Sequence, residues 1–375
     1  MPRSHLSRRP AFLTAALLLG TAGLMAAPTA ATTHAGTPGG ACTISSGATP
    51  SGPTPLDGIC EYLERREGVF QVALFDNNTG RSYGLSTGDQ KQYTASIVKA
   101  DILARWLRKY QRDGGKVPGD IPYSIRYLME NMIEHSDNVA ATSLFYFGGG
   151  CDALTRFNKL IPLNETKVAC QTPTYYGWGN TTTTAADQVR LMKVYAYDKP
   201  RRVLRDNARS YGLELMQGVQ PDQRFGVTCG PWGTACDPPN YAQPVPGVSV
   251  ALKNGWKTPP TCSQPIPQCP WQVNSTGWVK GQGRDYALAI LTTDDPVGTG
   301  GVYGFNYGID TIQNVSRRVW DNLPPVTSQA CPDARTALEK AKRKLNRAKQ
   351  QGKQSKIKKA RNKKRKAKRA VEDAC

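Results

Sequence analysis

The stretch FQVALFDNNTGRSYGLSTGDQKQYTASIVKADILARWLRKY, residues 70–110, changes its periodicity once. From Phe70 to Asp76 it alternates, with Phe70, Val72 and Leu74 on one face, the period-2 pattern of a half-buried strand. Asn77-Asn78-Thr79-Gly80 supplies a turn, and Arg81–Leu85 returns as the partner strand. From Ser96 the period becomes helical. Val98, Ile102, Leu103, Trp106, Leu107 and Tyr110 form one stripe, closed by Gly114-Gly115. Working outward, Ile125, Leu128, Met129, Met132 and Ile133 mark a second helix from about Ser124. A third is expected over Asn138–Phe147, and a fourth from Thr184, where Asp187 completes a capping-box spacing. Alternating segments return at Val248–Lys253, Trp271–Lys280 and Tyr286–Thr293. Strands at both ends and helices between them predict an α+β fold on an antiparallel sheet, not a doubly wound one.

The chain has 375 residues, 49 basic and 29 acidic side chains, and a formal net charge of +20. Residues 331–375 hold 18 of the Lys and Arg and 4 of the Asp and Glu. The charge therefore belongs to a tail, and a nucleic-acid-binding fold throughout is excluded. Arg3, Arg8 and Arg9 precede an apolar run from about Ala11 to Ala27, which reads as a signal peptide over residues 1–30. Residues 31–55, rich in Gly, Thr, Pro and Ser, read as a flexible linker, and a body extends over 56–325. Past the start, no segment is apolar for the ~20 residues that a membrane span needs.

All ten cysteines follow the signal segment, an even number that suits disulfides and a secreted, extracellular or wall-associated protein. Their spacing suggests neighbour pairing: Cys42–Cys60, Cys151–Cys170, Cys229–Cys236, Cys262–Cys269 and Cys331–Cys375. There is no CxxC, and the body contains one imidazole, His135. Zinc chemistry is therefore disfavoured, and a Ser-His-Asp triad would have to use His135.

Three short motifs carry chemistry. Ser96-Ile-Val-Lys99 opens the first helix, Ser136-Asp137-Asn138 lies between two helices, and Lys253-Asn254-Gly255 ends a strand. Ser96 and Lys99, three residues apart, share a helical face, and a lysine desolvated near other cations can take a serine proton. A serine at a helix N-terminus also turns its own N–H toward the reacting centre, where it can hold an oxyanion. Singly these motifs are weak, since Ser355 and Lys358 repeat SxxK inside the basic tail, and Ser-Asp-Asn is also an ordinary helix cap.

In this order the three motifs resemble class A β-lactamases and the related penicillin-recognising serine enzymes. The resemblance runs from about Val69 to Thr293 and includes Asn180-Thr-Thr-Thr-Thr-Ala-Ala, similar to the segment leaving that family's omega loop. It implies a five-stranded antiparallel sheet flanked by helices, with a mainly helical subdomain. By the same resemblance Ser96 is the acylated nucleophile and Lys99 its base or relay. Ser136 passes a proton to the leaving nitrogen, and Asn138 positions substrate and Lys99. Lys253 attracts the substrate carboxylate. Asn254, Gly255 and Trp256 contact substrate, with the N–H groups of Ser96 and Trp256 forming the oxyanion hole. The chemistry needs no metal and no cofactor.

One departure concerns the glutamate that activates the deacylating water in an ExxLN segment. The comparable stretch here, Thr155 to Asn164, has Leu160 or Ile161 in its place, and Glu165 falls out of register. A serine hydrolase acting on an amide is expected, acylated on Ser96 by β-lactams or peptidoglycan stem peptides and slow to deacylate. A D,D-peptidase acting on D-Ala-D-Ala ends and a non-hydrolytic wall-binding module are the alternatives.

In the tail, Ala334, Leu338, Ala341, Leu345 and Ala348 step by four and three, as do Ile357, Ala360, Lys364, Ala367, Val371 and Ala374. With Gln350-Gln351-Gly352 between them, these runs predict a helical hairpin over residues 331–375, stapled by its terminal cysteines. An anionic wall polymer or an acidic lipid surface is the expected partner of this tail, on an otherwise monomeric protein.

Overall fold

A computed structural model describes residues 42–46, 54–88, 91–111, 115–170, 176–197, 203–232, 236, 245–258, 270–293, 295–296, 304–326, 330–351 and 354–374. The expected signal peptide, the Cys262–Cys269 pair and the Cys331–Cys375 staple lie outside these residues or their described side chains. The chain begins with β1 (Thr43–Ser46), α1 (Ile59–Leu63), β2 (Val69–Asp76), β3 (Arg81–Ser86) and β4 (Gln92–Tyr93). A 3₁₀ turn over Ala95–Ile97 opens α2 (Val98–Tyr110), which α3 (Tyr123–Glu134), α4 (Asn138–Phe147) and α5 (Gly150–Asn158) follow. A turn at Gly177–Asn180 leads to β5 (Thr182–Thr183), α6 (Ala185–Ala196), α7 (Asp206–Gln217) and the short α8 (Cys229–Trp232). The late strands are β6 (Val248–Lys257), β7 (Gln272–Gly281) and β8 (Arg284–Thr293), before α9 (Gly304–Asn322), α10 (Ala330–Gln350) and α11 (Gln354–Ala374).

The sheet is antiparallel with order β1-β3-β2-β8-β7-β6. Five strands are those the sequence implied; β1 is an addition at the edge. It falls inside the stretch expected as a linker, so that expectation is corrected. Thr-Ile-Ser-Ser carries little hydrophobic signal, but the Cys42–Cys60 disulfide brings it beside the open edge of β3, where Ile44 pairs with Leu85. Cys151–Cys170 and Cys229–Cys236 are also bonded, as neighbour pairing predicted.

Alternation buries the sheet on both faces. Phe70, Val72 and Leu74 of β2 join Leu288 and Ile290 of β8 against Ile312, Val315 and Val319 of α9. Ala73, Phe75, Ala289 and Leu291 face the helical core built on α2. Inside that core, Trp106 Nε1 donates to the Leu144 carbonyl at 2.9 Å and the Tyr195 hydroxyl donates to the Ala100 carbonyl at 2.5 Å. These bonds fix α2 between α4 and α6. Thr184 caps α6 as expected, accepting from the Asp187 N–H. Helices α1, α5, α7, α8 and α9 were not foreseen. The C-terminal pair α10 and α11 forms a hairpin whose seam buries Leu345, Ala348 and Ala360, with Ile357 packed against it.

Candidate active site

Ser96 sits in the turn that starts α2, and the residue before it is held in a left-handed conformation, with Ala95 at φ 46°. Such a φ is costly for a non-glycine residue and needs support from its surroundings. The support comes from three sides. Asn274 on β7 donates to the Tyr93 carbonyl at 2.8 Å. The Thr94 N–H donates to Thr181 O at 2.7 Å, beyond the 177–180 turn. Gly255 on β6 lies so close that a Cβ there would stand 2.6 Å from Ser96 N and 2.7 Å from Ile97 N. Only glycine permits that approach, which accounts for the third position of the Lys253-Asn254-Gly255 motif.

Lys99 is fully buried one turn on. Its Nζ lies 2.6 Å from Ser136 O, 3.1 Å from Ser136 Oγ and 2.7 Å from Asn138 Oδ1. The Ser136-Asp137-Asn138 segment divides its labour. Ser136, at φ 53°, turns both oxygens toward Lys99. Asp137 caps α4, accepting from the Ala140 N–H at 2.6 Å, and Asn138 is the first residue of that helix. The helix cap and the contact with Lys99 are thus the same motif. The hydrogen bonds of Lys99 run to this segment rather than to Ser96, with which it shares the start of α2.

Burial pushes Lys99 down to about 6, helped by the positive charge of Lys253 and opposed by Asp137. Lys253 is buried too, donates to the Asn254 carbonyl at 2.9 Å, and is pushed by desolvation to about 7. At neutral pH Lys99 is therefore mainly the free amine. That form has two N–H groups for Ser136 O and Asn138 Oδ1, and one lone pair that can accept a proton from the Ser136 hydroxyl.

Strand β6 is the sheet edge, and its alternation sorts the neighbouring positions. Lys253 and Gly255 face Lys99 and Ser96. Asn254 points the other way, its amide donating to Gln223 O at 2.7 Å and Phe225 O at 3.0 Å. The Trp256 ring also turns away, packing on Phe225 and Phe305 with centroids 5.7 and 5.5 Å apart. Neither side chain lies on the strand face that carries Lys253 and Gly255.

Two further residues were not foreseen. Trp178, buried in the 177–180 turn, lays its ring 5.0 Å from Lys99 Nζ and donates from Nε1 to Thr142 Oγ1 at 3.0 Å. Lys257 continues the face of Lys253 and Gly255. Its Nζ bonds the Asn180 side-chain oxygen and lies 4.9 Å from the Tyr93 ring centroid. Glu165 lies elsewhere, exposed and paired with Lys91 at 2.7 Å. His135 is exposed and ends α3, so no triad forms around it. Among the described residues no cluster of metal-ligating side chains occurs.

Residues 57–323 match the model of the Beta-lactamase enzyme family. Among solved structures, a class A beta-lactamase from Mycobacterium abscessus is 17% identical, covering 72% of this chain and 98% of that one, with a TM-score of 0.53. An ancestral class A beta-lactamase (GNCA) is 20% identical over 72% of this chain and 100% of that one, at 0.52. PBP-A is 21% identical over 70% and 92%, at 0.50. These identities speak to the fold alone. No curated protein matches the sequence.

Proposed function

Because the chain belongs to the beta-lactamase enzyme family, we propose that it is an exported acyl-serine hydrolase of β-lactams or related cell-wall peptides whose acyl-enzyme turns over slowly. The observation that supports this best is the buried Lys99 amine held among Ser136 O, Ser136 Oγ and Asn138 Oδ1. In the proposed sequence Ser96 Oγ attacks the amide carbonyl and its proton passes to Lys99, directly or through Ser136. The N–H groups of Ser96 and Trp256 hold the oxyanion. The C–N bond then breaks as Ser136 delivers the proton to nitrogen, leaving an ester on Ser96. Lys253 attracts the substrate carboxylate.

Slow deacylation rests on what surrounds Lys99. The charged groups that bear on it are Lys253 and Asp137, and Asp137 is engaged as a helix cap. The only glutamate near the expected place, Glu165, is tied to Lys91 at the surface. The Trp178 ring lies 5.0 Å from Lys99 Nζ, and among the described residues the hydrogen bonds of that amine run to Ser136 and Asn138 rather than to a carboxylate. Loss of a general base costs a step ~10²–10⁴-fold. Mixing the protein with a chromogenic cephalosporin should give a burst of about one equivalent and then a slow steady rate. Rapid linear turnover contradicts slow deacylation, and release of D-Ala from a pentapeptide without any burst favours a D,D-peptidase.

The three disulfides among the described residues are in keeping with export. The hairpin would hold this monomeric enzyme to an anionic wall polymer rather than to a lipid surface. Leu345, Ala348, Ala360 and Ile357 are spent on the seam between α10 and α11, which leaves little apolar surface among the described side chains for a bilayer.

A further inference from the structure

Ser96 lies between two lysines of one strand face. Lys253, Gly255 and Lys257 are alternate residues of β6, so their side chains share a face. Gly255 stands against Ser96 N. At about 3.3 Å of rise per residue, each lysine backbone lies roughly 6–7 Å along the strand from Gly255, one on either side. Their surroundings differ. Lys253 is on the side of Lys99, whose charge state it affects, and therefore on the side of Ser136. Lys257 is on the side of Tyr93 and Asn180.

This polarity orients a substrate. The leaving nitrogen must be where the Ser136 hydroxyl can protonate it, so the leaving half extends toward Lys253. The acyl half must then run the other way along the strand edge, past Gly255 toward Lys257. Lys257 has only neutral partners, the Asn180 amide oxygen and the face of the Tyr93 ring, and no carboxylate among the described residues pairs with it. Burial lowers it to about 8, so it is still mainly protonated at neutral pH. A half-desolvated ammonium with neutral partners has one strong interaction still to make, a charge-assisted bond to an anion.

We propose that Lys257 anchors an anionic group on the acyl side of the scissile amide, so that the preferred substrates carry a carboxylate on each side of the bond that is cut. This rests on the acyl-serine reading of Ser96. A peptide whose residue before the cleaved bond bears a free carboxylate, or a β-lactam with an acidic acyl side chain, has the required chemistry. The alternative role for Lys257 is mechanical, holding the 177–180 turn to β6 through Asn180.

Two penicillins separate these roles. Benzylpenicillin and carbenicillin differ by one carboxylate on the acyl side chain. Second-order acylation rates measured by mass spectrometry on the full chain give a ratio, carbenicillin over benzylpenicillin, for wild type and for Lys257→Gln and Lys257→Glu. The ratio should fall about tenfold in Lys257→Gln and further in Lys257→Glu. An unchanged ratio, including one in which both rates fall together as a mechanical role requires, overturns the anchor. If neither penicillin acylates wild type, the reading of Ser96 fails first, and the anchor fails with it.

Discussion

The lysines of the cleft and those of the C-terminal hairpin are one side chain in two solvents. Lys99 and Lys253 are fully buried, and burial lowers them to about 6 and about 7. Lys340, Lys342, Lys356, Lys358 and Lys366 on α10 and α11 are exposed, and their charge is screened and hydrated. Losing water turns a cation into a base that can move protons; keeping water leaves it an electrostatic handle. In our reading the chain uses the first for chemistry and the second for location.

The largest test of that contrast is Lys99→Met. Acylation should fall by ~10²–10⁴-fold, the usual worth of a general base, while the fold persists. In wild type the acylation rate constant at saturating substrate should rise with pH through about 6, following the free amine of Lys99, while substrate affinity should weaken above about 7 as Lys253 loses its charge. Stopped-flow acylation across pH 4.5–9 (a range set by ~1.5 units or more on each side) checks both points. A rate flat through pH 6 breaks the assignment.

Next is the stability cost of burying Lys253. Its folded value of about 7 lies below the ordinary lysine value of 10.5. Between the two, the unfolded chain holds a proton that the folded chain does not. The destabilisation is therefore full below about pH 7 and fades as pH rises toward 10.5, amounting to ~4 kcal/mol at neutral pH as an upper figure. Lys253→Met should unfold at higher denaturant than wild type at pH 7, with the difference shrinking at pH 10. Its acylation midpoint should move up from about 6, because the cation that depresses Lys99 is gone. A destabilised variant at pH 7 would contradict the buried-cation argument.

In the hairpin, changing Lys356, Lys358, Lys359, Lys363 and Lys366 to Gln should weaken retention on anionic cell walls by about tenfold or more and flatten its salt dependence. Acylation should not respond. Binding that ignores salt would remove the electrostatic role. The smallest effect expected is that of Glu165→Gln. An exposed ion pair adds little to stability, and in our reading this glutamate has no part in the chemistry, so stability and deacylation should barely change. A clear drop in deacylation would show that Glu165 reaches the ester after all.

Much of the cleft could be read in the sequence because its local rules are strict. Ser96 and Lys99 share a turn of helix, and Gly255 marks a close backbone approach. The alternation of β6 also carried information: if Lys253 and Gly255 face Lys99 and Ser96, the side chains of Asn254 and Trp256 face the other way. Helix α9 had a readable stripe in Ile309, Ile312, Val315 and Val319. Trp178 had no local signal, and for Lys257 the alternation gave the strand face but not the partners Asn180 and Tyr93. Their roles come from long-range placement of an aperiodic turn against α2 and β6, which spacing along the chain does not encode.

The central claim is a covalent bond to Ser96 that outlasts its formation. Intact-protein mass spectrometry after a short exposure to benzylpenicillin, followed over hours, measures it directly. The account predicts one added penicillin mass on wild type, still present long after free drug is removed, and none on Ser96→Ala. No adduct on wild type, or the same adduct on Ser96→Ala, would contradict it.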